Sequence, residues 1–541
     1  MPRALTLLLV LIFFTAVASA LTFPLVRFDR PVLPDTDDAY FNVWRLSWVA
    51  HQIVRAPWLL FDTNIFYPLR NTLAYSDAML ALGLIATPAI NLGLHPVIVH
   101  NILVLGSFVT AGFAAFLLCR HLTGSTAAAL VGGLIFAFAP YRFAHIAHLE
   151  LLWTAPMPLA LFILHVESER PVRKGMMLGA VVALQAFCSL YYAAFLAIFI
   201  GLWTLVALVL VNAPERRRLV QCLIVGGVTG LLLTAPYGSA YYNAHRELGG
   251  RKVDEMRLYS ATPADYLRVN AHNRLYRPDP LDASEERNLF PGITAAALAL
   301  CGLLGRRDRI AVLYGVLTAC AFDLSLGLNG LTYPIIASVL PLMDGFRAPA
   351  RFSSLFLLSL SVLAALGVAA IAARLSRTPR RVVVSLLAVL CLAEYFSAPI
   401  STRTPILTRP AVYQWLRSHS NSVILEMPIP TPSTIWNVEA THQYMSIFHW
   451  ARLVNGYSGY APRSYFATLD RLKDLPSPQS VAWLRELGVE YVIVHERFYE
   501  PPDFVALVAV MMQSPDFDKP LTMPDPDDPV YVFPLRPAVS Q

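Results

Sequence analysis

Pro34-Asp35-Thr36-Asp37-Asp38-Ala39-Tyr40 puts three carboxylates within four residues, shortly after an apolar run that starts at Ala4. That run continues to Val26, long enough to cross a bilayer. An acidic knot so close to a lipid boundary is costly to desolvate and seldom incidental. Residues 40–55 then read as a helix with Thr36 or Asp37 as N-cap. Phe41, Trp44 and Trp48 recur on one side of it at three- and four-residue spacing. Trp and Tyr favour the headgroup layer, so the expectation is an interfacial helix with the acidic cluster at its N-terminus.

Composition sets the frame. The chain has 541 residues, 56% hydrophobic and 14% charged, with a mean hydropathy of +0.53. Soluble domains carry about 25% charge, so a single soluble enzyme is excluded. Repeated apolar runs identify a polytopic helical membrane protein. The net charge of +6 sits in short arginine clusters between those runs, which fits cytoplasmic loops and not nucleic acid. None of the six cysteines has metal-site spacing.

The first run has the Arg3 and Ala18-Ser19-Ala20 features of a cleavable signal, but its apolar continuation favours an uncleaved helix with its N-terminus inside. The loop from 28 to 77 is then outside. Arg120, Arg170 to Lys174, Arg216 to Arg218, Arg306 to Arg309 and Arg374 to Arg381 all fall inside if 78–94 does not cross completely; if it does, an odd number of further crossings must be added or removed nearby. The first choice gives about eleven spans, with a break at Ser189 to Tyr192 in the apolar run 174–211. It puts the acidic loop, 140–150, the long loop 241–290 and everything after about 401 on the outer face. Residues 1–400 are therefore the membrane domain. Residues 401–541 change character: Pro is frequent and short β-type runs occur at Val423 to Met427, Tyr491 to Val494 and Val530 to Phe533. With a helix over 480–487 (Ser480 as N-cap, Gly488 as stop), they form a small extracytoplasmic α/β domain.

Four stretches carry candidate chemistry. Among Asp35, Asp37 and Asp38, one carboxylate suits a general base, or Asp35 and Asp37 suit a divalent cation, Mg or Mn; helix capping accounts for them equally well. On a helix, Arg142, His145 and His148 share a face, matching a phosphate better than a metal even with Glu150 nearby. Arg347 and Arg351, four apart on the outer face, match a phosphate clamp, or else pair with Asp344 or anionic lipid. His442, His449-Trp450 and 454–460 form an aromatic, hydroxyl-rich stretch suited to sugars or to membrane docking.

An inside N-terminus, one span, an outer loop opening with Asp37-Asp38-Ala39-Tyr40 and a terminal outer domain together resemble the GT-C superfamily of integral-membrane glycosyltransferases. Asn64-Ile65-Phe66-Tyr67-Pro68, Tyr141-Arg142-Phe143-Ala144-His145 and the 344–352 stretch resemble poorly characterised bacterial members. The resemblance implies an inverting transferase in the bacterial cytoplasmic membrane, moving a sugar from a polyprenyl-phosphate donor to a cell-envelope acceptor. Asp37 or Asp38, with Asp35 beside them, would activate the acceptor. Arg142, His145, His148, Arg347 and Arg351 would hold the donor phosphate. Tyr40, Trp44, Trp48 and Tyr67 would line a lipid or acceptor groove. Asp38 stands where Glu is common, and the Trp-Trp-Asp signature of oligosaccharyltransferases does not occur. A lipid or solute transporter or flippase, or a non-catalytic envelope-assembly partner, is the alternative; Asp323 and Glu394 are the main carboxylates in the spans.

Overall fold

The computed structural model describes residues 3–210, 212–276, 285–306, 308–430, 435–523 and 528–537. Arg307 of the third arginine cluster and 277–284 of the long outer loop lie outside the described residues. The chain forms two compact units. The first comprises Met1–Pro34, Asn101–Gly238 and Gly250–Thr402; the second comprises Asp35–His100, Ser239–Gly249 and Arg403–Gln541.

The first unit is a helical bundle. Most expected spans fall on helices, but 150–166 is divided between Leu149–Leu152 and Pro156–His165. Among the described residues, six helices are long and apolar enough to cross a membrane: Ala4–Leu21, Pro96–Thr123, Thr126–Ala144, Leu190–Leu210, Ala213–Leu248 and Pro349–Ala373. The break expected at 189–192 falls at Ser189, between helices Pro171–Cys188 and Leu190–Leu210. Helix Ser353–Ala373 is buried on every side along most of its length and packs against Ile293–Gly305, Arg309–Ser325 and Thr126–Phe138. Small residues allow that approach: a Cβ at Gly302 would lie 2.0 Å from the Leu363 carbonyl oxygen, and one at Gly367 2.1 Å from that of Leu298. The Glu394 carboxylate accepts from the Thr294 N–H at 3.0 Å and from its hydroxyl at 2.6 Å, capping helix Ile293–Gly305. Asp323 likewise accepts from the N–H groups of Leu331 and Thr332. Both span-end carboxylates thus satisfy backbone donors.

In the second unit, helix Asp38–Gln52 packs against Leu80–Asn91 and Ile435–Met445. The 78–94 segment holds only the 12-residue helix Leu80–Asn91, with Pro88 inside it, too short to span a bilayer core. A Cβ at Gly83 would sit 2.5 Å from Val49 Cβ, which fixes how closely these two helices approach. The sheet consists of β1 (Val423–Met427), β2 (Arg452–Leu453), β3 (Tyr491–His495), β4 (Leu521–Met523) and β5 (Val530–Pro534), in the order β2-β1-β3-β5-β4. β1 runs parallel to β2 and β3; β5 runs antiparallel to β3 and β4. Period-two alternation sends Val423, Leu425, Met427, Val492, Val494 and Phe533 into one apolar core. It sends Glu426 and His495 to the opposite face. The segment before the expected helix at 480–487 supplies its cap one turn earlier: helix Pro478–Glu486 has Ser477 as N-cap, accepting from the Ser480 N–H. Gly488, at φ 71°, ends it as expected.

Candidate active site

The acidic corner belongs to the second unit. Its helix is not interfacial: every residue from Ala39 to Ala50 is buried, so the aromatic stripe is a core and not a membrane-facing surface. Sequence spacing located the aromatic face but could not reveal what covers the polar one. Arg45 donates to the Asp77 carbonyl at 2.7 Å and to Asn42, and lies over the Phe41 ring at 4.1 Å. These bonds make its burial tolerable. Tyr40, Trp44 and Trp48, expected to line a lipid groove, are fully committed inside. Tyr40 stacks on Tyr444 at 4.0 Å and accepts from the Ile406 N–H. Trp44 stacks on Trp48, whose indole donates to the Leu60 carbonyl at 2.8 Å. Tyr67 is half-buried beneath the Arg452 guanidinium, 5.0 Å from its ring centre.

The three aspartates divide their work. Asp35, and not Thr36 or Asp37, is the capping side chain: its Oδ1 accepts from the N–H groups of Asp37 at 3.1 Å and Ala39 at 2.9 Å. Asp38 accepts from the Tyr457 hydroxyl at 2.9 Å. Burial, with Asp38 adjacent, raises the Tyr457 phenol far above its ordinary range, so it remains a donor. Asp37 occupies the N-cap position with no capping bond from its side chain. Burial, then the charges of Asp35 and Asp38, push its carboxyl up to about 6. Oxygen-only donors suit a hard cation such as Mg or Mn. Among the described residues, however, the three aspartates do not gather donor atoms within 4.8 Å of one another, so at most a pair would ligate an ion.

The residues expected to bind phosphate lie in the first unit. The chain there is not one helix: 145–148 separates helices Pro140–Ala144 and Leu149–Leu152. Arg142 is 4% exposed and donates to Thr154 Oγ1 at 2.7 Å and the Leu152 carbonyl at 2.8 Å. With Tyr141, His145, Thr154 and Ser354 it lines a cavity with room for about one water, far too small for a phosphate group. Arg351 is paired with Glu286 through Nε, 3.0 Å from each carboxylate oxygen, and through its terminal nitrogen. His145 Nε2 is 3.7 Å from the same carboxylate, and the His145 and His148 rings lie 5.5 Å apart. Burial alone would raise the Glu286 carboxyl; Arg351 and His145 outweigh it and hold it below the usual carboxylate range. His145, His148 and Glu150 form no three-donor cluster among the described residues. Arg347 differs from its neighbour. Its side chain is 30% exposed, 3.7 Å from Glu255, and lies over the Tyr259 ring. Arg351 thus pairs with Glu286 and Arg347 with Glu255.

Sequence reading passed over several buried polar groups of the terminal domain. Glu426 sits inside the apolar run of β1, and His495 ends β3. A lone ionisable residue within a strand of buried aliphatics was the available signal. Glu439 is fully buried and accepts from Asn455 and the Gly456 N–H. Burial pushes its carboxyl up to about 8.

These features define a polytopic membrane protein of the GT-C glycosyltransferase fold. The solved structures similar to it include the arabinofuranosyltransferase AftD from Mycobacteria, at TM-score 0.63 and 16% identity over 98% of this chain and 40% of that one. The oligosaccharyltransferase AglB from Archaeoglobus fulgidus, solved with an inhibitory peptide and a dolichol-phosphate, matches at TM-score 0.52 and 14% identity over 90% and 69% of the two chains. ArnT from Cupriavidus metallidurans matches at 0.50 and 11% over 98% and 97%. The chain thus spans about two fifths of the arabinofuranosyltransferase. By sequence, residues 7–394 match a family model, and the protein belongs to that family, described as Domain of unknown function (DUF6311). No curated protein is similar to it in sequence.

Proposed function

We propose that this protein is a membrane glycosyltransferase that moves a sugar from a polyprenyl-phosphate donor to a cell-envelope acceptor, on the outer face of the cytoplasmic membrane. One observation carries the reading: on a GT-C fold, Asp37 stands half-buried between two other carboxylates, with its own carboxyl near 6. A base works best when its pKa lies close to the operating pH. Asp37 is accordingly assigned as the base that takes the acceptor hydroxyl proton, with Asp35 and Asp38 holding the loop in place. The acceptor oxygen so activated attacks the anomeric carbon from the face opposite the phosphate, its bond forming as the bond to the leaving lipid phosphate breaks, and this inverts the anomeric centre.

Of the residues expected to bind phosphate, Arg347 is the partly exposed member. Arg142 and Arg351 act by holding their loops through buried bonds. A lipid-phosphate donor is supported by the dolichol-phosphate bound to the similar oligosaccharyltransferase. The test uses purified protein in vesicles with radiolabelled polyprenyl-phosphate sugars and envelope extracts. Transfer of label from lipid to a polar acceptor, with inverted anomeric configuration by NMR, is expected. Retention of all label on the lipid across the donor panel would remove the proposal.

A further inference from the structure

The sheet face opposite the apolar core of the terminal domain carries a polar cluster with no part in the proposed transfer. His495 Nδ1 lies 2.7 Å from Asp528 Oδ2, and its Nε2 lies 2.6 Å from Glu426 Oε2. Helix Ile435–Met445 brings His442 to the same place, with Nε2 4.0 Å from Glu426 Oε2 and its ring 5.5 Å from that of His495. Glu426, His442 and His495 each offer a donor atom, and these atoms all lie within 4.8 Å of one another. All three side chains are buried to within 1% of complete.

Two features are unexplained by hydrogen bonding within the protein. Among the described residues, neither ring nitrogen of His442 has a hydrogen-bond partner, and neither has Glu426 Oε1. Buried polar atoms left this way destabilise the fold. A proton shared between His495 and Glu426 accounts for the short contact: burial opposes it, but Asp528 and Glu426 raise the imidazole to about 9. It leaves His442 and the second Glu426 oxygen with nothing to bind. A cation accounts for His442 Nε2 and the second Glu426 oxygen, and for the two buried carboxylates facing one imidazole. Asp528, by accepting from Nδ1–H, presents the lone pair of His495 Nε2, the carboxylate–histidine–metal arrangement.

We propose that Glu426, His442 and His495 bind a divalent transition-metal ion of the zinc class, with Asp528 orienting His495. Two imidazoles and a carboxylate are borderline donors that favour zinc over magnesium or calcium. The ion joins β1, β3 and helix Ile435–Met445, and so acts on the stability of this domain. Full-length protein in detergent is stripped with EDTA and titrated with cobalt(II) and with zinc. The site predicts one equivalent per chain, the visible absorption of low-coordinate cobalt, and a higher melting temperature with zinc than without. His442→Gln and Glu426→Gln each lose the equivalent, whereas His419→Gln keeps it. If the site variants do not fold, zinc-edge X-ray absorption on the wild type decides, with two imidazoles in the coordination shell as the expected result. Substoichiometric metal, a shell with no histidine, or full binding by folded His442→Gln would overturn the site. None of these readouts depends on glycosyl transfer.

Discussion

Asp37 contributes to activity and stability with opposite signs. Its carboxyl is raised from 3.8 to about 6 in the fold, so the native state holds this proton more tightly than the unfolded chain does. Stability is greatest while both states are protonated, and falls as pH rises through the window from about 4 to 6. Asp37→Asn is therefore expected to slow transfer sharply and also to raise the melting temperature at pH 7. The gain is about 1 kcal/mol once solvent screening of this half-exposed group is allowed for, with no gain at pH 4. Thermal unfolding at the two pH values measures this. Glu286 behaves in the contrary way: it is already ionised and paired with Arg351. Glu286→Gln leaves a buried guanidinium without its counter-charge, a loss of about 3–5 kcal/mol, visible as poor membrane yield and a lowered melting temperature. Unchanged stability would mean that Arg351 has another anionic partner. At this scale the sequence showed where the acid and basic groups fall along the chain, but not which were occupied. Arg142, Arg347 and Arg351 read alike until Thr154, Glu255 and Glu286, contributed by other segments, separate them.

Among the elements, helices and strands were legible in proportion to their length. The apolar spans and the runs of β1, β3 and β5 stand out because many residues repeat one period. β2 has two residues and β4 three, too few to show any period. The helix after the acidic knot was found but misplaced in environment, because aromatic residues look the same whether they face lipid or the helices Leu80–Asn91 and Ile435–Met445. The Gly83–Val49 contact tests that packing. Gly83→Val should cost about 1–3 kcal/mol through overpacking. Val49→Ala should recover much of it, giving a non-additive double-mutant cycle. Additive losses would show that the two helices do not meet there.

For the whole molecule, the distribution of arginines led to a topology, and the resemblance of a few motifs led to the GT-C fold. The division into two units did not follow, because Asp35–His100 joins Arg403–Gln541 across hundreds of residues of chain. That association rests on contacts such as Asn64 with Ala451 and Phe66 with Asn455, which no local pattern encodes. The proposed sidedness puts residue 420 outside and residue 217 inside. Every native cysteine lies within a helix of the apolar bundle, so a cysteine-free background with Ser420→Cys or Arg217→Cys reports it directly. A membrane-impermeant maleimide applied to intact cells should label the first and spare the second; the reverse pattern would invert the topology.

The most direct measurement of the central claim is the pH dependence of single-turnover transfer by wild type and Asp37→Asn in the same vesicles. Transfer by the wild type should rise through a midpoint near 6 and level off above it, since only ionised Asp37 accepts the acceptor proton. Asp37→Asn should be slower by about 10²–10⁴-fold and show no such rise. An Asp37→Asn variant that transfers at the wild-type rate with the same profile would contradict the assignment of the base.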